Sequence, residues 1–213
     1  MATSSSSATA TGGKPTAKQL ALSSRDGNIE DVKHYLALGI SPNEITEFGG
    51  TCLHQAAQYG QCEVIAILIQ AGANIDATTT GLQTPLHIAA DKNQEHAIEL
   101  LLQHNATIES KTKDGRTALH CAAAAGSAAA AKVLLSKGAQ INALDNENRT
   151  PLILAAKYGH VECIKTLLKF KPNTKLADKH HHTAIDAARE CEKKTVQSTI
   201  EDLIIDYEID NGL

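Results

Sequence analysis

Apolar residues recur along this chain in two interleaved helical patterns, and the pair of patterns returns every 33 residues. Leu53, Ala56 and Ala57 fall at i, i+3 and i+4, the narrow apolar stripe of a first helix. Val64, Ile65, Leu68 and Ile69 give a second stripe a few residues on. The frame is then reoccupied without insertion. Thr51, Thr84, Thr117, Thr150 and Thr183 stand 33 apart; two positions on come Leu53, Leu86, Leu119, Leu152 and Ile185. Five on from each Thr come Ala56, Ala89, Ala122, Ala155 and Ala188, and later Leu68, Leu101, Leu134, Leu167 and Ile200. Four columns in one register do not arise from composition bias.

Each unit therefore predicts a helix, a turn and a second helix. The Thr is a good N-cap, since its hydroxyl accepts from an orphan N–H, and Pro85 and Pro151 follow at the first helical position. Gly60, Gly126 and Gly159 mark the end of the first helix, Gly72 and Gly138 the end of the second. Asn93 and Asn105 take both stops in one unit, Asn being the next best tolerated residue in a left-handed conformation. The strings TKDGR (112–116) and DNENR (145–149) predict hairpins projecting between units.

Composition sharpens this picture. Aromatics are 3% of 213 residues, with no Trp, so the core must be Ala, Leu, Ile and Val, which favours packed helices over a β-sandwich. No stretch approaches the roughly 20 apolar residues of a membrane span. The N-terminus lacks the apolar segment of a secretory signal. Five single cysteines (52, 62, 121, 163, 191) make neither a disulfide framework nor a CxxC pair, so a reducing compartment is expected, cytoplasmic and/or nuclear. A net charge of −4 lacks the basic footprint of a nucleic-acid binder. Residues 1–16, rich in Ser, Thr and Ala, read as a disordered tail; 210–213 are set apart from the repeats as a C-terminal tail.

TPLHIAA (84–90), TALHCAA (117–123) and TCLHQAA (51–57), with GANI (72–75) and GAQIN (138–142), resemble the ankyrin repeat. The resemblance covers residues 17–209 and implies an all-α solenoid of helix-turn-helix units with projecting β-hairpin loops. It sets about six repeats: 17–47, 48–80, 81–113, 114–146, 147–179 and 180–209, the terminal ones degenerate caps. The first keeps only Leu20, Gly27, Glu30, Gly39 and Asn43 in frame. Ile153 and Asp186 replace the signature His, Glu192 the helix-ending Gly, and KPN (171–173) the GAN string, departures that cluster in the last two units, where a capping repeat is expected to diverge.

Candidate chemistry is sparse. His54, His87 and His120 recur every 33 residues, but helices 8–10 Å apart cannot bring equivalent side chains onto one ion with bonds near 2 Å. The resemblance makes this His structural. His180, His181 and His182 are adjacent in a hairpin, and consecutive residues diverge, so a solvated tip is the better reading than a metal site. Cys52 and Cys121 flank signature His residues without an acidic orienter, so packing accounts for them better than nucleophilic catalysis. No GxxxxGK[ST], GxSxG or HExxH occurs. We expect no enzyme, no cofactor and no metal. From Lys165 to His182 stand five Lys and one Asp, while Glu201, Asp202, Asp206, Glu208 and Asp210 follow Lys194 without a base. That polarity either steers an acidic partner or keeps a terminal unit soluble.

The resemblance places partner binding on the hairpin tips and on the open side of the first helices. Carried over, the tips are Glu47 and Phe48, Gly81 to Gln83, Lys113, Asp114, Arg116, Asn146, Glu147, Arg149, and Lys179 to His182. The helix positions are Gln58 and Tyr59, Asp91 and Lys92, Ala124 and Ala125, and Lys157 and Tyr158. Tyr59 and Tyr158 occupy one position three repeats apart, and Ala124–Ala125 between them leaves a shallow groove. A partner segment crossing that groove, gripped by both tyrosines, is one reading; alanine kept for helix propensity is the other. The function expected is a monomeric, non-enzymatic interaction module (adaptor, inhibitor or assembly factor) that binds another protein through its concave face. A microbial effector acting on host proteins, or a non-catalytic subunit of an enzyme complex, is the alternative. Asn142 resembles a hairpin Asn hydroxylated in some family members, and reads equally as a turn residue.

Overall fold

The computed structural model describes residues 16–47 and 49–212. The tail expected over 1–16 lies outside the described residues except for Thr16, and so does Phe48.

Twelve helices among the described residues form six pairs: α1 (Ala17–Asp26) and α2 (Ile29–Ala37), α3 (Cys52–Gln58) and α4 (Cys62–Gln70), α5 (Pro85–Asp91) and α6 (Glu95–Gln103), α7 (Ala118–Ala125) and α8 (Ala128–Ser136), α9 (Pro151–Lys157) and α10 (Val161–Leu168), α11 (Ala184–Arg189) and α12 (Lys194–Asn211). The odd-numbered helices pack against one another in series, and so do the even-numbered ones, so each pair touches only its own partner and its neighbours. Helices this short are not stable alone. They hold because the repeated columns are seam residues: Leu53, Leu86, Leu119 and Leu152, the five frame alanines, and Leu68 through Ile200 are all at most 1% exposed. Alanine in the first helices permits close approach, and the aliphatic core accounts for the near absence of aromatics.

Between pairs the chain runs out and back in a hairpin, with no strand among the described residues. Each hairpin is closed by one N–H to carbonyl bond four residues apart: Thr46 to Gly50, Thr79 to Gln83, Thr112 to Arg116, Asp145 to Arg149 and Asp178 to His182. The fourth residue of each hairpin is left-handed, with φ of 83° at Gly49, 56° at Leu82, 75° at Gly115, 57° at Asn148 and 63° at His181.

The divergent end keeps the plan and alters its lengths. Lys171 adopts the left-handed turn (φ 56°) that Gly39, Gly72, Asn105 and Gly138 take in the earlier repeats. Without a glycine at Glu192, α11 is only 6 residues and ends in right-handed geometry at Glu190. Helix α12, at 18 residues, is twice the usual second helix. Its Ile200 and Ile204 complete the seam, and Tyr207 donates its hydroxyl to the Pro172 carbonyl at 3.3 Å.

Candidate partner-binding face

Several polar columns are committed to joining repeats. The first is the histidine column. Nδ1 of His54, His87 and His120 accepts the N–H of Thr51, Thr84 and Thr117 at 3.1, 3.1 and 3.2 Å. An accepting Nδ1 places the ring proton on Nε2, which donates to the carbonyls of Gln83, Arg116 and Arg149 in the next hairpin at 3.0 Å each. Burial pushes all three pKa values down, that of His120 to about 4, so the rings are neutral. Both nitrogens of each ring are occupied by the fold. Asp186 keeps the local half of this task, its carboxylate accepting the Thr183 N–H at 3.0 Å, and among the described residues α11 is the last of the first helices.

A second column repeats a function and not a residue type. Gln61, Gln94, Ser127 and His160 stand at the entry to the second helices, 33 apart. Each donates a side-chain bond to a carbonyl in the preceding repeat, those of Arg25, Gln58, Asp91 and Ala124, at 2.9, 3.1, 3.1 and 2.9 Å. These carbonyls lie at first-helix C-termini, where helical partners run out. The helix-ending glycines serve this column twice. Gly60 is left-handed (φ 67°), and a Cβ there would collide with Oε1 of Gln94. Gly126 stands in the same relation to Nδ1 of His160. Where Asn93 replaces the glycine, the residue across is the small Ser127, and Asn93 Oδ1 accepts the Ala130 N–H at 3.0 Å. The signal was present in the register, hidden because Gln, Ser and His share a donor rather than a shape.

A third column joins the second-helix turns. Asn43, Asp76, Glu109 and Asn142 accept backbone N–H bonds from Asn74, Thr107, Gln140 and Asn173 at 2.7, 3.0, 2.8 and 2.9 Å. Asn142 is thus a repeat-joining acceptor. The hairpin tips are also joined, the N–H groups of Lys113, Asn146 and Lys179 donating to the carbonyls of Gly81, Asp114 and Glu147 at 2.9, 3.0 and 3.0 Å.

What remains is the face between the hairpin row and the first-helix row. Tyr59 and Tyr158 are 50% and 40% exposed, and Ala125, Lys92, Lys113, Asp114, Asn146, Lys157 and His180 are exposed. Gln58, Asp91, Ala124, Arg116, Glu147, Arg149 and His182 are half-buried. Of these, Asn146 also gives its side-chain amide to the Lys113 carbonyl at 3.0 Å, Arg149 is bound to Asp145, and Glu147 pairs with Lys179 at 3.6 Å.

Two hollows lie on this face. One, of about 350 Å³, brings Gly81, Gln83, Lys113, Asp114 and Arg116 of the hairpins together with Asp91, Cys121 and Ala124 of the first helices. The other, of about 310 Å³, brings Ala124 together with Lys157, Tyr158, His160 and the 190–193 turn. Ala124 borders both. Tyr59 borders neither, and at about 8–10 Å per packed helix it stands nearly 30 Å from Tyr158. A single extended segment touching both tyrosines needs about nine residues.

The remaining candidates are quiet. Burial pushes the thiols of Cys52, Cys121 and Cys163 up to about 12. A thiol so raised is a poor nucleophile. His180 and His182 have ring centres 6.1 Å apart, and His182 Nδ1 lies 3.4 Å from Glu190. Among the described residues no three His, Cys, Asp or Glu side chains stand together as a metal cage. Part of the basic stretch is matched internally, Lys165 by Glu162 and Lys175 by Glu208, both at 2.8 Å. No helix among the described residues is long and apolar enough to cross a membrane.

Interlocked two-helix units with one face left to unassigned side chains define a linear repeat solenoid, a class whose members bind along their length. The chain belongs to the ankyrin repeat family: the family described as "Ankyrin repeats (3 copies)" matches residues 19–112, 79–145, 98–178 and 140–210. Over 70 residues the chain is 33% identical to the ankyrin repeat-containing protein P1E11.10 of Schizosaccharomyces pombe. That match covers 33% of this chain and 34% of the relative, so it spans about a third of each. Ankyrin repeats generally mediate protein–protein interaction, and a protein partner follows at that level.

Proposed function

We propose that this protein is a non-enzymatic interaction module, an adaptor, inhibitor or assembly factor that holds a partner protein against its hairpin tips and first helices. One observation carries the reading. The repeated polar side chains are bonded between repeats, whereas the side chains of Tyr59, Tyr158, Lys113, Asp114 and Lys157 on one face make no inter-repeat hydrogen bond or ion pair among the described residues, Lys113 and Asp114 joining repeats through their backbone alone. Exposed tyrosine on a rigid surface is a frequent anchor, because it presents large area with few rotors. The binding residues are Gln58, Tyr59, Asp91, Lys92, Lys113, Asp114, Arg116, Ala124, Ala125, Lys157 and Tyr158, with Phe48, Asn146, Glu147, Arg149, His180 and His182 along the tips. The protein works as a monomer in the cytoplasm or nucleus.

Affinity capture followed by mass spectrometry, run in parallel with wild type and a Tyr59→Ala, Tyr158→Ala double variant, tests this. A protein retained by wild type and lost by the variant, with circular dichroism unchanged, supports it. Equal retention by both overturns the role given to the tyrosines, and turnover of a captured small molecule overturns the non-enzymatic reading.

A further inference from the structure

The hairpin hollow holds a positive charge that the fold only partly neutralises. Asp145 closes its own hairpin: Oδ1 accepts the N–H groups of Glu147 and Arg149 at 2.9 Å, and Oδ2 accepts Nε and Nη2 of Arg149 at 2.8 and 2.7 Å. A carboxylate offers about four acceptor positions, and those of Asp145 are taken. Burial pushes its carboxyl up, but these bonds outweigh burial and hold it below the usual carboxylate range. Arg116, one repeat earlier, has no such partner. At the place of Asp145 its hairpin carries Thr112, whose hydroxyl serves only the Arg116 N–H, at 3.2 Å. The Arg116 guanidinium leans toward Asp145 instead. Its Nε stops 3.8 Å from Oδ2, an ion pair beyond hydrogen-bond reach, and is buried without a hydrogen-bond partner. One carboxylate therefore faces two guanidinium groups, bonding Arg149 closely and reaching Arg116 only as a long ion pair.

The side chain of Arg116 is 25% exposed and borders the hollow of about 350 Å³. Lys113 borders it too and makes no ion pair among the described residues. Two carboxylates share the lining. Asp91 is paired with Lys92 at 2.9 Å, which leaves Asp114 against two cations. Beyond Ala124 the second hollow adds Lys157 and Lys193, also without ion pairs among the described residues, beside Tyr158. Glu190 there faces His182 at 3.4 Å, and Glu192 is the carboxylate left.

We infer that the hollow receives a carboxylate from an acidic, extended segment of the partner protein, held by the Arg116 guanidinium and Lys113, with the segment running on over Ala124 toward Tyr158. The inference rests on the protein-binding reading of this face. The planar fork of arginine suits a carboxylate, and a half-buried guanidinium that has only a long ion pair to an already bonded Asp145 gains from a closer one. The missing side chain at Ala124 keeps the path between the hollows open.

The test selects linear peptides from a random displayed library on the full chain. The strongest acidic binder is made in its acid form and with each Asp or Glu changed to the amide, then titrated by fluorescence anisotropy. On wild type the amide form should bind about tenfold more weakly, the scale of one charge-assisted hydrogen bond. On Arg116→Gln the two forms should agree within about twofold, whereas Tyr158→Ala should weaken both alike. Asp145 keeps Arg149 in Arg116→Gln, so its circular dichroism should match wild type; should it unfold, Lys113→Gln carries the comparison. Equal binding of acid and amide on wild type, or discrimination undiminished in the folded variant, overturns the inference. If the selected peptides lack an acidic position yet are weakened by Tyr158→Ala, the inference falls and the reading of the face stands. If no peptide is selected, both fall.

Discussion

His120 is bonded at both ends across a repeat boundary: Nδ1 receives the N–H of Thr117 at the start of its own helix, and Nε2 gives its proton to the Arg149 carbonyl of the next hairpin at 3.0 Å. That arrangement requires a neutral ring, which makes the stability of the array depend on pH. Unfolded, the imidazole titrates at its ordinary 6.5; folded, burial lowers it to about 4. Between those values the unfolded chain takes up a proton that the native chain refuses, so stability rises with pH across the window and is flat below it. At 1.36 kcal/mol per unit the effect for His120 is ~3 kcal/mol, and His54 and His87, lowered by the same burial, add to it with the same sign. Urea midpoints should be clearly lower at pH 4.5 than at pH 7, with a shallower slope for His120→Gln. Identical midpoints at the two values would contradict the neutral-ring account.

Gly60 and Gln94 should be energetically coupled. Gly60→Ala adds a Cβ against Oε1 of Gln94 in a left-handed backbone, so it should destabilise by more than the roughly 1–2 kcal/mol of the backbone alone. On a Gln94→Ser background, which copies the Asn93–Ser127 arrangement, only the backbone part should remain. A double-mutant cycle by urea unfolding reads the difference, and strictly additive effects would show that the contact does not matter.

Leu82 is the converse case. It is 47% exposed yet holds φ at 56°, where its counterparts Gly49 and Gly115 are at ease. Leu82→Gly should raise stability by about 1 kcal/mol, the left-handed strain relieved less the extra freedom of the unfolded glycine. A lower urea midpoint in the variant would mean that Leu82 makes a compensating contact.

The seam is legible in the sequence because each of its columns repeats one residue type or, at Ile185 and Ile200, its isomer: Thr51, Leu53, Ala56 and Leu68 return with nearly the same shape, since each meets the same neighbour 33 residues on. The inter-repeat donors were not legible. Gln61, Gln94, Ser127 and His160 differ in size, and what they share is a proton to give, whose acceptor lies 36 residues back in the chain. Gly60 likewise reads as a helix stop, while its role as the socket for Gln94 needs the next repeat in place. On the open face, the exposure of Tyr59 and Tyr158 was foreseeable from their frame position. The surplus charge at Arg116 was not, because it depends on Arg149 having already filled Asp145. In the last repeat, which lacks a glycine at Glu192, α11 is short and α12 is long, lengths that no repeated column announces.

The most direct test of the claim that side chains left over from repeat joining do the binding is hydrogen exchange on the complex with a captured partner. Slowed exchange should fall on 58–59, 91–92, 113–116, 124–125 and 157–158, and α4, α6, α8 and α10 should exchange as in the free protein. Protection centred on those second helices, with the hairpins and first helices unchanged, would contradict the account.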